Sequence, residues 1–128
     1  MDPEAVRSLV RRYAAAWAAC DREAWLSTFA EGATQEDPVG EGTRTGRDEI
    51  AVFWDRAMST YDIIEIRERA IHVAGSEAAL EWSIVARRAD EWIVFDGVDV
   101  FTCDEEPLIT SVRAFWERAA RTRTHQRP

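Results

Sequence analysis

Lysine is missing from this chain: all sixteen basic residues among its 128 are arginine. That excludes a Schiff-base lysine and the covalent attachment of pyridoxal phosphate. Histidine is scarce, with His72 in an apolar stretch and His125 in a basic tail. Two cysteines, Cys20 and Cys103, are too few and too far apart for a zinc site, so no metal is expected. There is no Gly-rich phosphate loop, no dinucleotide fingerprint and no Gly-x-Ser-x-Gly elbow. No apolar run approaches the roughly 20 residues that span a bilayer. The opening Met1-Asp2-Pro3-Glu4 lacks the basic start and apolar stretch of a signal peptide. A cytoplasmic location with reduced cysteines is therefore the expectation. The net charge of −8 argues against nucleic acid and against anionic membranes, and points to a neutral or apolar small molecule as partner. An enzyme with this inventory, working without a cofactor, has to move protons through carboxylates, tyrosines or water.

The chain has enough apolar residues, 46% with six Trp and five Phe, for one well-packed core. Val6, Leu9, Val10, Tyr13 and Trp17 recur at helical spacing and predict a first helix over residues 3–19. Asp21 reads as the N-cap of a second helix carrying Ala24, Trp25 and Phe29, closed by Gly32. Thr34 to Asp37 reads as a short strand cut off by Pro38. Thr45 and Asp48 resemble a capping pair for a third helix through Ile50, Phe53, Trp54 and Met58. Beyond Tyr61 the period changes to alternation, in segments 61–73, 77–87, 91–102 and 108–116. Gly75-Ser76, Ala89-Asp90 and Glu105-Glu106-Pro107 supply the turns. Three helices followed by an antiparallel meander predict an α+β domain, helices on one face of a curved sheet, over residues 1–119. Residues 120–128 form an Arg-rich tail expected to fray.

Five residues stand out as candidate carriers of chemistry. Asp99 interrupts Val98, Val100 and Phe101 in the most apolar segment, sharing a face with Ile93, Phe95 and Gly97. A lone ionised carboxylate there costs several kcal/mol, so it either pairs, Arg113 being one candidate, or stays protonated as a donor. Asp96 lies on the opposite face of the same segment. Asp37 precedes Pro38 in a turn, where Asp commonly bonds its own backbone, the reading local grounds favour; the functional reading is a general base on a loop beside a rigid sheet. Tyr13 lies on the buried helical stripe, and its hydroxyl needs a partner that phenylalanine would not. A tyrosine and a protonated Asp99 aimed at one point would make an oxyanion hole. Glu65, between Ile64 and Ile66, is a reserve second carboxylate, otherwise a solvated strand position.

Three segments give the chain a familiar look: Arg12-Tyr13 with Cys20-Asp21 and Trp25; Glu36-Asp37-Pro38-Val39-Gly40 with Gly46-Arg47 and Ile50; and Gly97-Val98-Asp99-Val100 with Ala114-Phe115-Trp116. Together they resemble the ketosteroid isomerases and the wider SnoaL-like, NTF2-like group, from about Val6 to Glu117. The resemblance implies a cone-shaped fold around an apolar pocket. It implies Asp37 as the base that shuttles a proton between two carbons of an allylic ketone, with Tyr13 and neutral Asp99 as donors to the dienolate oxygen. Trp116, Trp54, Trp82, Leu80, Ile84, Phe95, Val112 and Ala114 would line the cavity, by the resemblance and by strand parity. Where steroid isomerases carry further tyrosines, this chain has Phe29 and Trp54. The same group includes epoxide-opening cyclases and hydrolases of polyketide pathways, in which Asp37 and Asp99 would divide the roles of base and acid, Glu65 standing in for one of them. It also includes non-catalytic binding modules. Its members commonly pair through the outer face of the sheet, which implies a homodimer.

Overall fold

The computed structural model describes all residues 1–128. Helix α1 (Pro3–Ala18) begins where Asp2 accepts the Glu4 amide, and it buries Val6, Leu9, Val10, Tyr13 and Trp17 along one stripe. Helix α2 (Arg22–Leu26) is capped by Asp21 through the Ala24 amide. It stops before Phe29, which opens strand β1 (Phe29–Glu36) instead of extending the helix. Gly32, at φ +76, lies in the irregular middle of β1, where the pairing slips between Phe29 and Thr34. Strand β2 (Arg44–Thr45) leads into helix α3 (Arg47–Thr60). Its N-cap is Gly46 rather than Thr45, and the Glu49 carboxylate accepts the Thr45 amide at 3.1 Å. The Arg47 guanidinium donates to the Phe29 carbonyl, pinning the start of α3 to β1.

Strands β3 (Ile63–Ala74), β4 (Glu77–Arg88), β5 (Glu91–Cys103) and β6 (Ile109–Phe115) form the expected meander. The sheet as a whole is mixed, not antiparallel, because β1 pairs parallel to β6 and sets the order β2-β1-β6-β5-β4-β3. Local alternation carries no record of that pairing, which joins residues far apart in the chain. The tail is also ordered: β7 (Thr122–Thr124) pairs antiparallel with β5, placing Arg123 against Ile93. No helix is long and apolar enough to cross a membrane.

All three helices cover one face of the curved sheet, and the core lies between. Ile93, Asp99, Phe101 and Cys103 of β5 point inwards, while Trp92, Val94, Val98 and Val100 lie on the outer, partly exposed face. A dense aromatic nucleus of Tyr13, Trp17, Trp25, Phe29 and Trp54 fills the closed end of the cone. Each such buried ring stabilises the fold by about 2–3 kcal/mol. The open end of the cone holds the cavity.

Candidate active site

A cavity of about 680 Å³ opens between α3, the inner face of β3–β5 and the segment after β6. Tyr13 and Trp17 form part of its floor, and Ile64, Ile66, Ile84, Ile93 and Phe95 its apolar sheet wall. Such mixed walls with a few polar groups characterise small-molecule sites.

Asp37 reaches this cavity from the turn after β1. The turn is held by the Val39 amide, which donates to the Ala114 carbonyl at 2.8 Å. The Trp116 indole N–H donates to Asp37 Oδ1 at 2.7 Å. Burial pushes the Asp37 carboxyl up to about 6; the Trp116 hydrogen bond and the Arg44 and Arg118 charges hold it below what burial alone would give. Near neutral pH it is an ionised base with a proton affinity suited to general base work.

Asp99 sits deeper, on the central strand between Leu80 of β4 and Ala114 of β6, and is only 3% exposed. Its Oδ1 has no hydrogen-bond partner. The Trp82 indole N–H, the donor nearest in influence, also falls outside hydrogen-bond geometry. Arg113, the partner a structural ion pair would need, faces away on the outer side and binds Glu36 at 3.2 Å. Burial, and then the Asp37 charge, push Asp99 well above the usual carboxylate range. Both causes favour the protonated form of Asp99.

Tyr13 packs edge-on against Phe101 with ring centroids 5.0 Å apart and is buried to 2% exposure. Its phenol is raised by burial first, then by the charges of Asp99 and Asp37. Thus Tyr13, Asp37 and Asp99 are linked electrostatically, but only Tyr13 and Asp37 line the cavity, and Asp99 is buried outside its lining.

Of the other residues singled out in the sequence, Trp116, Phe95 and Ile84 line the cavity. Trp116 and Phe95 rings stand 4.9 Å apart, and Phe95 meets Trp82 edge-on at 5.5 Å. Trp54, Trp82, Leu80, Val112 and Ala114 lie instead within the closed core. Strand parity gives their face correctly but not their depth along the cone. Glu65 lies away from the cavity and pairs with Arg67 at 3.1 Å. Asp96 is on the outer face, held by Ser83 and Arg69. The cavity rim carries residues that pattern reading passed over: Arg44, Arg56, Arg88, Arg118, Arg121 and Arg123. A run of arginines in a tail that reads as frayed gives no sign that it folds over a pocket.

No group of His, Cys, Asp or Glu side chains converges as a metal site would require. Three helices on a curved mixed sheet, around a cavity whose lining includes apolar side chains, the Asp37 carboxylate and the Tyr13 phenol, define a class of small α+β proteins. The chain belongs to the SnoaL-like domain family, whose model matches residues 10–112. A steroid Δ-isomerase of Nocardioides simplex is 32% identical over 111 residues, covering 87% of this chain and 89% of that one. Among solved structures, the epoxide hydrolase/cyclase-like enzyme SalBIII, studied for pyran ring formation in the polyether salinomycin, superimposes with a TM-score of 0.85. It is 25% identical, covering 94% of this chain and 96% of its own. The Δ5-3-ketosteroid isomerase of a Mycobacterium species shares the fold at a TM-score of 0.83 and 23% identity, over 93% of this chain and 98% of its own.

Proposed function

We propose that this protein is a cofactor-independent acid–base isomerase of allylic ketones, with Asp37 as proton shuttle and Tyr13 and neutral Asp99 as donors to the dienolate oxygen. The observation that carries the reading is Asp99: a buried, unpartnered carboxyl on the central strand is a stability cost with no packing return. Ionised Asp37 removes a proton from the carbon between carbonyl and alkene, and the negative charge moves to the ketone oxygen. Two donors in a dry site stabilise that oxygen far better than water does. The proton then returns from Asp37 to the γ-carbon, leaving the conjugated enone. The 32% identical steroid Δ-isomerase supports this chemistry and an apolar substrate.

The test is turnover of androst-5-ene-3,17-dione, followed by the ultraviolet absorbance of the conjugated enone. Wild type should turn over, and Asp37→Asn should lose about 10³-fold or more in kcat. Asp99→Asn, which keeps a donor, should lose far less than Asp99→Leu. A folded wild type without turnover sinks the steroid isomerase reading.

A second reading is supported by the SalBIII likeness and by burial that raises Asp99 further than Asp37. Asp37 would deprotonate a hydroxyl while Asp99 protonates the oxygen leaving a strained epoxide, giving a cyclic ether. A hydroxy-epoxide converted by wild type and by neither Asp37→Asn nor Asp99→Asn would select it. In either case we expect a homodimer through the outer sheet face, where Trp92, Val94, Val98 and Val100 are half-buried and Phe115 is 43% exposed. Sedimentation showing only monomer at micromolar protein would remove that expectation.

A further inference from the structure

Six of the sixteen arginines line one cavity in a protein of net charge −8. Only two carboxylates, Asp37 and Glu41, line it with them. Glu41 is engaged by Arg118 in a two-point ion pair, and Arg123 stands 3.8 Å from Glu91. Arg44, Arg56, Arg88 and Arg121 form no ion pair with any carboxylate of the chain. Three of the six are held in place, and Arg56 and Arg88 are exposed. Arg44 stacks over Phe53 at 4.8 Å, Arg121 is half-buried and donates to the Arg118 carbonyl, and Arg123 is fixed by the β7–β5 ladder. Four elements, β2, α3, the end of β4 and the segment after β6, converge guanidinium groups on a single opening.

The arginines also have a place relative to the chemistry. Arg123 pairs with Ile93, which precedes Asp99 on β5, and Arg88 pairs with Glu91 nearer still to the hairpin tip. Six residues of strand separate Ile93 from Asp99, about 20 Å at ~3.3 Å per residue. Asp99 and the rim positions of Arg88 and Arg123 thus lie towards opposite ends of the β4–β5 hairpin, with Ile66, Ile84 and Phe95 in the cavity wall, while Arg44 and Arg118 lie close enough to Asp37 to act on its charge. Guanidinium forks match planar carboxylates and lose little entropy in binding them.

We propose that the rim is a carboxylate-binding subsite and that the natural substrate is an elongated apolar acid, its carboxylate held by Arg88 and Arg121 while its reactive group lies against Asp37 and Tyr13. This rests on the reading of the cavity as the reaction site and adds the class of molecule it takes. The acidic surface elsewhere on the protein turns such an anion away, so capture occurs at the one cationic opening.

The test is equilibrium titration, by quenching of tryptophan fluorescence, with 3-oxochol-4-enoic acid and its methyl ester, which differ only in the terminal charge. The acid should bind about ten-fold tighter at low ionic strength. The preference should shrink as salt is raised to about 0.5 M. It should disappear in the Arg88→Gln/Arg121→Gln double variant and return in Arg88→Lys/Arg121→Lys, which keeps both charges. Equal binding of acid and ester by wild type, or a preference untouched by the Gln pair, overturns the subsite; binding of neither overturns the subsite and the apolar cavity reading together. Turnover of the corresponding Δ5 acid and ester separates the two ideas. Acid preference without turnover removes the isomerase and leaves the subsite, whereas turnover with equal affinities does the reverse.

Discussion

The Trp116 indole nitrogen lies 2.7 Å from Asp37 Oδ1, so the residue that follows β6 lowers the proton affinity that burial gives a carboxylate in the loop after β1. A neutral donor to the ionised form favours ionisation, and the Arg44 charge works in the same direction.

Trp116→Phe keeps the ring and removes the N–H. Asp37 must be ionised to act, so activity falls as pH drops through its value of about 6. In Trp116→Phe the acidic limb of kcat/KM should move upwards by about half to one pH unit. Arg44→Met should move the same limb in the same direction, and more at low salt than at high, because a half-buried rim charge is partly screened where a hydrogen bond is not. A limb that stays in place in both variants would falsify the assignment of Asp37 as the titrating base.

Asp99 gives the fold a pH dependence of its own. Its folded-state value is raised above the unfolded one, so the folded state holds a proton that the unfolded chain releases near pH 4. Stability from this residue is intact below that point and declines as pH rises through the window up to its folded value. Asp99→Asn cannot ionise and should have the higher urea midpoint at about pH 8, with the difference closing towards about pH 4. Wild type more stable than the variant at the alkaline end would show a paired, ionised Asp99.

Gly97 lies beneath the Trp82 indole. A Cβ there would stand 2.6 Å from the far carbons of that ring and 2.7 Å from the Phe115 carbonyl. One contact is backbone and the other a fully buried ring, so neither can yield cheaply. Gly97→Ala should cost about 1–3 kcal/mol in chemical unfolding. It should also disturb the Phe95–Trp116 contact, 4.9 Å between centroids, and with it the near-ultraviolet circular dichroism.

Much of this was legible in local pattern. The stripe through Val6, Leu9, Val10, Tyr13 and Trp17 specifies α1, and the alternation from Ala78 to Ala86 specifies β4, because each depends on side chains a few residues apart. Asp99 announces itself as a charge in an apolar run. Phe29 misleads because its helical spacing from Trp25 competes with a strand partner, Ile109, that no local window contains. Thr122–Thr124 is missed for a similar reason: three residues have too short a period to read, and only the β5 edge makes them a strand. The same blind spot hides the cationic rim, which comes together only once β2, α3, β4 and the tail are folded.

The parallel pairing of β1 with β6 has a consequence for how the protein is made. The base and its indole partner are separated by 79 residues of chain, and everything between them must emerge before they can meet. A ribosome-bound chain that has delivered both helices of the N-terminal layer and the turn bearing Asp37 still lacks the strand that closes the pocket. A chain stalled short of Trp116 therefore lacks both the donor to Asp37 and a closed pocket, and we expect it to be inert.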